Sequence, residues 1–239
     1  MFDDLRRWVG RIADRFKRAY YGPTFRCPVC HLVLAAVDAD GNGLLVCPVC
    51  GAVLEIEAVY GHIVPVVLDM ELRRPQPKLR LHPLATHLPI GLFPFALLGA
   101  VVVLLASIAH VLGVGGGLSA IAQGTRVLTD ATLVLLVVSV AFSLATLASG
   151  LWDWNSRYRR RSYRQIRVKI VFAIVFVVLG ALAIALHASG LVFSGGTGLM
   201  QLGSPVGVVA AATYLLALAA NMIVVATLGH IGGTLVYGR

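Results

Sequence analysis

The four cysteines of this 239-residue chain fall in two short repeats, Cys27-Pro28-Val29-Cys30 and Cys47-Pro48-Val49-Cys50, with sixteen residues between them. Two such knuckles can place four thiolates at the corners of a tetrahedron, and the spacing fits four-cysteine zinc sites. Iron is the alternative ion, because geometry alone does not exclude it from the same thiolate set. Beta-prone runs flank the knuckles at Leu32 to Val37, Leu44 to Val46 and Val53 to Val59, and Asp38-Ala39-Asp40-Gly41-Asn42-Gly43 supplies a turn. That turn is no calcium loop, since Val49 stands where a bidentate acid would have to be. Four cysteines close a site by themselves, so His31 and His62 read as surface residues.

The other residues with chemical potential are histidines, and the elements that position them are set by composition. Hydrophobic residues make up 58% of the chain and charged ones 13%, with a mean hydropathy of +0.85, outside the soluble globular range. Four apolar segments, Leu84 to Leu112, Arg126 to Leu151, Ile166 to Leu186 and Pro205 to Leu228, each approach or exceed the roughly 20 residues that cross a bilayer. Glycine-rich stretches at Gly113 to Gly117 and Gly195 to Gly203 separate the first from the second and the third from the fourth. The expected fold is therefore an all-α four-helix membrane bundle carrying a small amino-terminal β domain with the cysteines.

Charge orients that bundle. The net charge of +9 would point to nucleic acid in a soluble protein, but its placement argues against nucleic acid as the partner. Of the 20 Lys and Arg, 19 fall with residues 1 to 82, the loop Trp152 to Arg164, the tail, or the adjoining helix ends; only Arg126 lies toward the other side. The positive-inside rule makes the basic side cytoplasmic and places both termini there. Trp152, Trp154, Tyr158 and Tyr163 suit an aromatic belt at that interface. Met1 to Tyr21 is charged throughout, so no secretory signal peptide is expected.

Within residues 1–22, Phe2, Leu5, Val9, Ile12 and Phe16 recur at helical spacing, with Arg6, Arg7, Arg11, Arg15, Lys17 and Arg18 largely off that stripe. This is an amphipathic basic helix, expected on the membrane surface, with the protein's own head as the alternative support. Residues 23–60 form the metal ribbon, 61–81 an extended linker broken by Pro65, Pro75 and Pro77, and 82–239 the bundle.

In this topology His82, His87 and His230 gather at the cytoplasmic ends of the first and fourth helices, and His110 and His187 at the opposite ends of the first and third. Helix-end histidines can simply reach headgroup water. Against that bland reading, Gly91, Gly229, Gly232 and Gly233 leave room beside His87 and His230 for a flat cofactor or a second backbone. Ser139, Ser143, Thr146, Gly150 and Asp153 form a narrow small-polar stripe on the second helix, which delivers Asp153 to where it could accept a histidine N–H.

Three motifs, His82-Pro83-Leu84-Ala85-Thr86-His87-Leu88-Pro89-Ile90-Gly91, Gly150-Leu151-Trp152-Asp153-Trp154 and Gly229-His230-Ile231-Gly232-Gly233, carry a resemblance. Together they resemble the domain-of-unknown-function 2231 family of four-helix bacterial membrane proteins, over about residues 82–237. The resemblance implies the bacterial cytoplasmic membrane and, through fused redox modules, electron transfer. Many members also carry a histidine before the third helix, where this chain has Arg161-Ser162-Tyr163-Arg164-Gln165. The cysteine head lies outside that likeness; its knuckles resemble zinc ribbons and, at Cys47-Pro48-Val49-Cys50-Gly51, rubredoxins.

The expectation from sequence is a membrane electron-transfer subunit holding haem b between His87 and His230, with His82 as substitute ligand and Asp153 accepting the other N–H of a ligand ring. The cytoplasmic metal module would then dock a protein partner. The alternative is a non-enzymatic scaffold whose zinc ribbon binds that partner while the bundle anchors it in lipid. No nucleophile, base and acid set marks a stand-alone enzyme.

Overall fold

The computed structural model describes residues 22–60, 62–71, 81–113, 118–156, 158–161 and 163–237. The amphipathic helix expected over residues 2–20 and the linker from 72 to 80 lie outside these. The chain divides into two units, Met1–Gln76 with Trp154–Val168 and His230–Arg239, and Pro77–Asp153 with Lys169–Gly229.

Four helices dominate: α1 (Leu81–Val111), α2 (Leu118–Ser156), α3 (Arg164–Ala188) and α4 (Pro205–Tyr237). Each contains a stretch long and apolar enough to cross a membrane. They outrun the expected apolar segments, α2 most of all, because polar residues that end a hydrophobic run do not end a helix. Glycines at positive φ mark two ends: Gly113 (φ 71) follows α1, with its N–H donating to the His110 carbonyl, and Gly190 (φ 72) follows α3.

The second unit is packed on Phe93, Leu136, Phe176, Tyr214 and Leu218, all buried, with Phe93 and Phe176 edge to face at 5.2 Å. Small residues let the helices approach. A Cβ on Gly180 would overlap the Val140 side chain, and one on Gly99 would overlap Thr132. Hydroxyls of the small-polar stripe turn back on their own helix: Ser139 donates to the Leu135 carbonyl, Ser143 to Ser139 and Thr146 to Phe142. Asn221, wholly buried on α4, donates to the Phe176 carbonyl at 3.2 Å, and its Oδ1 has no hydrogen-bond partner among the described residues. Outward, Phe95, Leu98, Leu105, Val134, Ile174 and Leu216 are exposed. Faces this apolar are stable only where something apolar covers them.

The head is built from two small antiparallel sheets. β1 (Thr24–Arg26) pairs with β2 (Val33–Ala35) around the first knuckle, and β3 (Leu44–Val46) pairs with β4 (Ala52–Val59) around the second. A fifth strand, β5 (His62–Met70), adds to β4 at the edge of its sheet. This stretch was expected in the linker. Pro65 is tolerated there because an edge strand can spare an N–H. Phe25, Leu32, Leu34, Leu45, Ala52 and Leu54 form the head's core with Cys27 and Cys47.

Close packing at Gly180 sets a test. Gly180→Val should lower the thermal midpoint of the detergent-solubilised protein through overpacking that costs about 1–3 kcal/mol. Gly91→Val, where an added Cβ meets nothing within 4 Å, should leave it nearly unchanged.

Candidate metal centre

The two knuckles repeat one backbone design. The Cys27 N–H donates to the Leu32 carbonyl and the His31 N–H to Cys27; likewise the Cys47 N–H donates to Ala52 and the Gly51 N–H to Cys47. Each loop thereby folds its Cys-Pro-Val-Cys run into a tight turn that aims both sulfurs inward. The residue after each second cysteine must turn left-handed, and Gly51 (φ 83) does so without strain. Its counterpart is His31, at φ 60, an exposed side chain in a conformation that glycine would adopt more cheaply.

The four Sγ atoms lie within 4.8 Å of one another, with Cys27 and Cys50 3.6 Å apart and Cys30 and Cys47 3.5 Å apart. Four sulfurs about 2.3 Å from a tetrahedral zinc sit roughly 3.8 Å from one another, so the cluster is close to the shape a metal ion requires. The Ala52 N–H also points at Cys50 Sγ, at 3.5 Å. Burial pushes the Cys50 thiol up to about 11, and drives Cys47 further up, with the charges of Cys27 and Cys50 adding to it. Burial also raises Cys27, but N–H groups of Cys30 and Val29 and the Cys50 and Cys30 side chains outweigh it and lower the thiol. Thiols held up in this way give up their protons only when a cation at the centre takes the charge, so metal binding and deprotonation would go together. The residues fit zinc or ferrous iron equally in donor type. His31 and His62 are exposed.

What holds this head lies in distant parts of the chain. The Tyr163 hydroxyl donates to the Val46 carbonyl at 2.6 Å, one residue before Cys47. The Asp38 carboxylate accepts the Arg164 N–H at 3.1 and 3.2 Å, capping the first turn of α3 from a distant part of the chain. Burial raises the Asp38 carboxyl, while that N–H and the charges of Arg167 and Arg164 pull it back. Glu71 takes two bonds from Arg161 at 2.9 Å and one from Arg159 at 3.2 Å. Gln165 donates to the Val33 carbonyl. A legible signal existed: acids Asp38, Asp40, Glu55, Glu57, Asp69 and Glu71 against one base, Arg26, in residues 22–71, facing an arginine-rich stretch at 157–167.

The histidine candidates separate. His82 Nδ1 lies 3.1 Å from the Thr146 carbonyl and 3.3 Å from Ser149 Oγ. A carbonyl only accepts and Ser149 donates its own proton to Thr146, so Nδ1 carries the hydrogen and Nε2 keeps its lone pair. Gly150 makes the room, since a Cβ there would stand 2.8 Å from His82 Cε1. Burial lowers the His82 pKa, with the Lys169 charge, against Asp153 and the Thr146 carbonyl. His87 and His230 are exposed and belong to different units. His110 is exposed, whereas His187 is buried 3.3 Å from the Tyr214 hydroxyl, with Phe193 at 4.4 Å.

No family model, no curated protein and no solved structure matches the chain. The resemblance to the four-helix family rests on its three motifs alone.

The mismatch between the knuckles yields a prediction. His31→Gly should raise the guanidinium concentration at which the head releases its metal, by a stabilisation of about 0.5–1 kcal/mol, because it relieves a left-handed side chain that is exposed. Gly51→His should lower it. The reverse order would mean that the loops are not equivalent.

Proposed function

We propose that the chain is a multi-pass protein of the bacterial cytoplasmic membrane, with both termini in the cytoplasm, whose zinc-loaded head is a non-enzymatic scaffold for a protein partner. The observation that carries this reading is the set of bonds from Tyr163, Arg164, Gln165 and Arg161 to the ribbon. A module that only tethers needs a loose linker, whereas a docking platform needs a fixed orientation. Apolar outward faces on four helices support lipid as the solvent, and the basic loops support the orientation.

The second reading, electron transfer through haem b, is favoured by one specific feature. Ligand histidines usually donate their other ring N–H to a carbonyl or carboxylate, and His82 does this toward Thr146. In that reading His82 replaces the exposed His87 as a haem ligand, Asp153 tunes it through charge, and iron in the knuckles would make the head a relay.

One preparation separates them. Protein purified in detergent from haem-replete cells should contain about one zinc per chain, as a single four-cysteine site requires, and show no reduced-minus-oxidised haem spectrum. Haem bands that disappear in His82→Ala or His230→Ala but persist in His62→Ala would replace the scaffold with the electron-transfer subunit.

A further inference from the structure

The β4–β5 hairpin exposes a face that the ribbon does not use. Alternation turns Leu54 and Ile56 toward the head's core and turns Glu55, Glu57 and Val59 away from it. The register sets Glu55 beside Val66 and Glu57 beside Val64. The outward face is therefore a row of carboxylates on β4 alongside a valine stripe on the edge strand, with Val59, Val64 and Val66 at 41%, 40% and 38% exposure. Tyr60, at the tip, is 97% exposed, and Leu68 53%. Among the described residues, Asp38 and Glu71 are occupied by Arg164, Arg159 and Arg161, while neither Glu55 nor Glu57 has an ion-pair partner.

An acidic and apolar face on an edge strand is costly to leave open, both for its valines and for its unpaired backbone. Its complement is a segment that is basic and apolar at once. Residues 2–20 have that chemistry: at helical spacing Phe2, Leu5, Val9, Ile12 and Phe16 form one stripe, Arg6, Arg15 and Lys17 flank it, and Arg7, Arg11 and Arg18 fall on the opposite side. Connectivity keeps them near the hairpin, since β1 begins at Thr24 and is in contact with β5. Length fits too: nineteen residues span about 28 Å as a helix, against roughly 30 Å for the nine residues of β5.

We propose that residues 2–20 of this same chain dock on the outward face of the β4–β5 hairpin, the flanking Arg6, Arg15 and Lys17 toward Glu55 and Glu57 and the apolar stripe over Val59, Val64 and Val66. The inference is independent of the metal's identity and of the haem question. It competes with a single alternative, in which the same segment lies on anionic lipid.

The test uses the full-length, metal-loaded protein in nanodiscs of phosphatidylcholine alone and of phosphatidylcholine with phosphatidylglycerol. A photo-cross-linking p-benzoylphenylalanine replaces Val64. The expected product is a monomeric chain whose cross-linked peptide maps to residues 2–20 in both bilayers. Glu55→Lys with Glu57→Lys should cut that yield on the order of tenfold, since it turns attractive pairs into repulsive ones. Glu55→Gln with Glu57→Gln should give an intermediate yield, and metal content equal to wild type shows that each variant's head is intact. A lipid adduct at position 64, a link to a second chain or to another segment, no link at all, or a yield indifferent to both charge variants would each overturn the proposal.

Discussion

The head depends on four thiolates meeting at one point. About 50 residues bury too little apolar surface to hold two small sheets together unaided, and folds of that size normally rely on a metal or on disulfides. Here the buried sulfurs of Cys27 and Cys47 are part of the hydrophobic cluster itself, packed with Phe25, Leu32, Leu45 and Leu54. A metal at their centre would join the β1–β2 hairpin to the β3–β4 hairpin, so that the two knuckles behave as one body. The attachments at Val33, Asp38, Val46 and Glu71 then act on a rigid object. Without that joint, each would hold only its own strand.

Those attachments also explain why the segment between α2 and α3 is rich in both arginine and aromatic residues. Trp154 donates to the Arg161 carbonyl at 2.8 Å and the Arg160 N–H returns to the Trp154 carbonyl, and within this loop Arg159 and Arg160 take left-handed backbone at φ 50 and 57. That costs conformational energy and is held because Glu71 fixes the guanidinium groups on either side. Charge that reads from sequence only as a topogenic signal is therefore also structural. The same residues can serve both ends, since the positive-inside rule counts them and Glu71 binds them.

Local patterns were legible and long-range partners were not. The paired Cys-x-x-Cys spacing located the sulfur cluster because a knuckle is a local turn, and hydropathy located four helices because a spanning segment is a local composition. The β5 strand was hidden by Pro65, which reads as a breaker unless the strand is known to lie at an edge. Tyr163 reads from sequence as part of an interfacial aromatic belt, and nothing local in the chain reveals that its hydroxyl is bonded to Val46, 117 residues away in sequence. His82 was ranked behind His87 on glycine context. The glycine that matters to His82 is Gly150, on another helix.

X-ray absorption at the metal edge of the purified, full-length protein tests the central claim most directly. A site built by Cys27, Cys30, Cys47 and Cys50 predicts a single shell of four sulfur scatterers at about 2.3 Å. A shell dominated by nitrogen or oxygen, or a sulfur edge showing the cysteines oxidised in pairs, would contradict it.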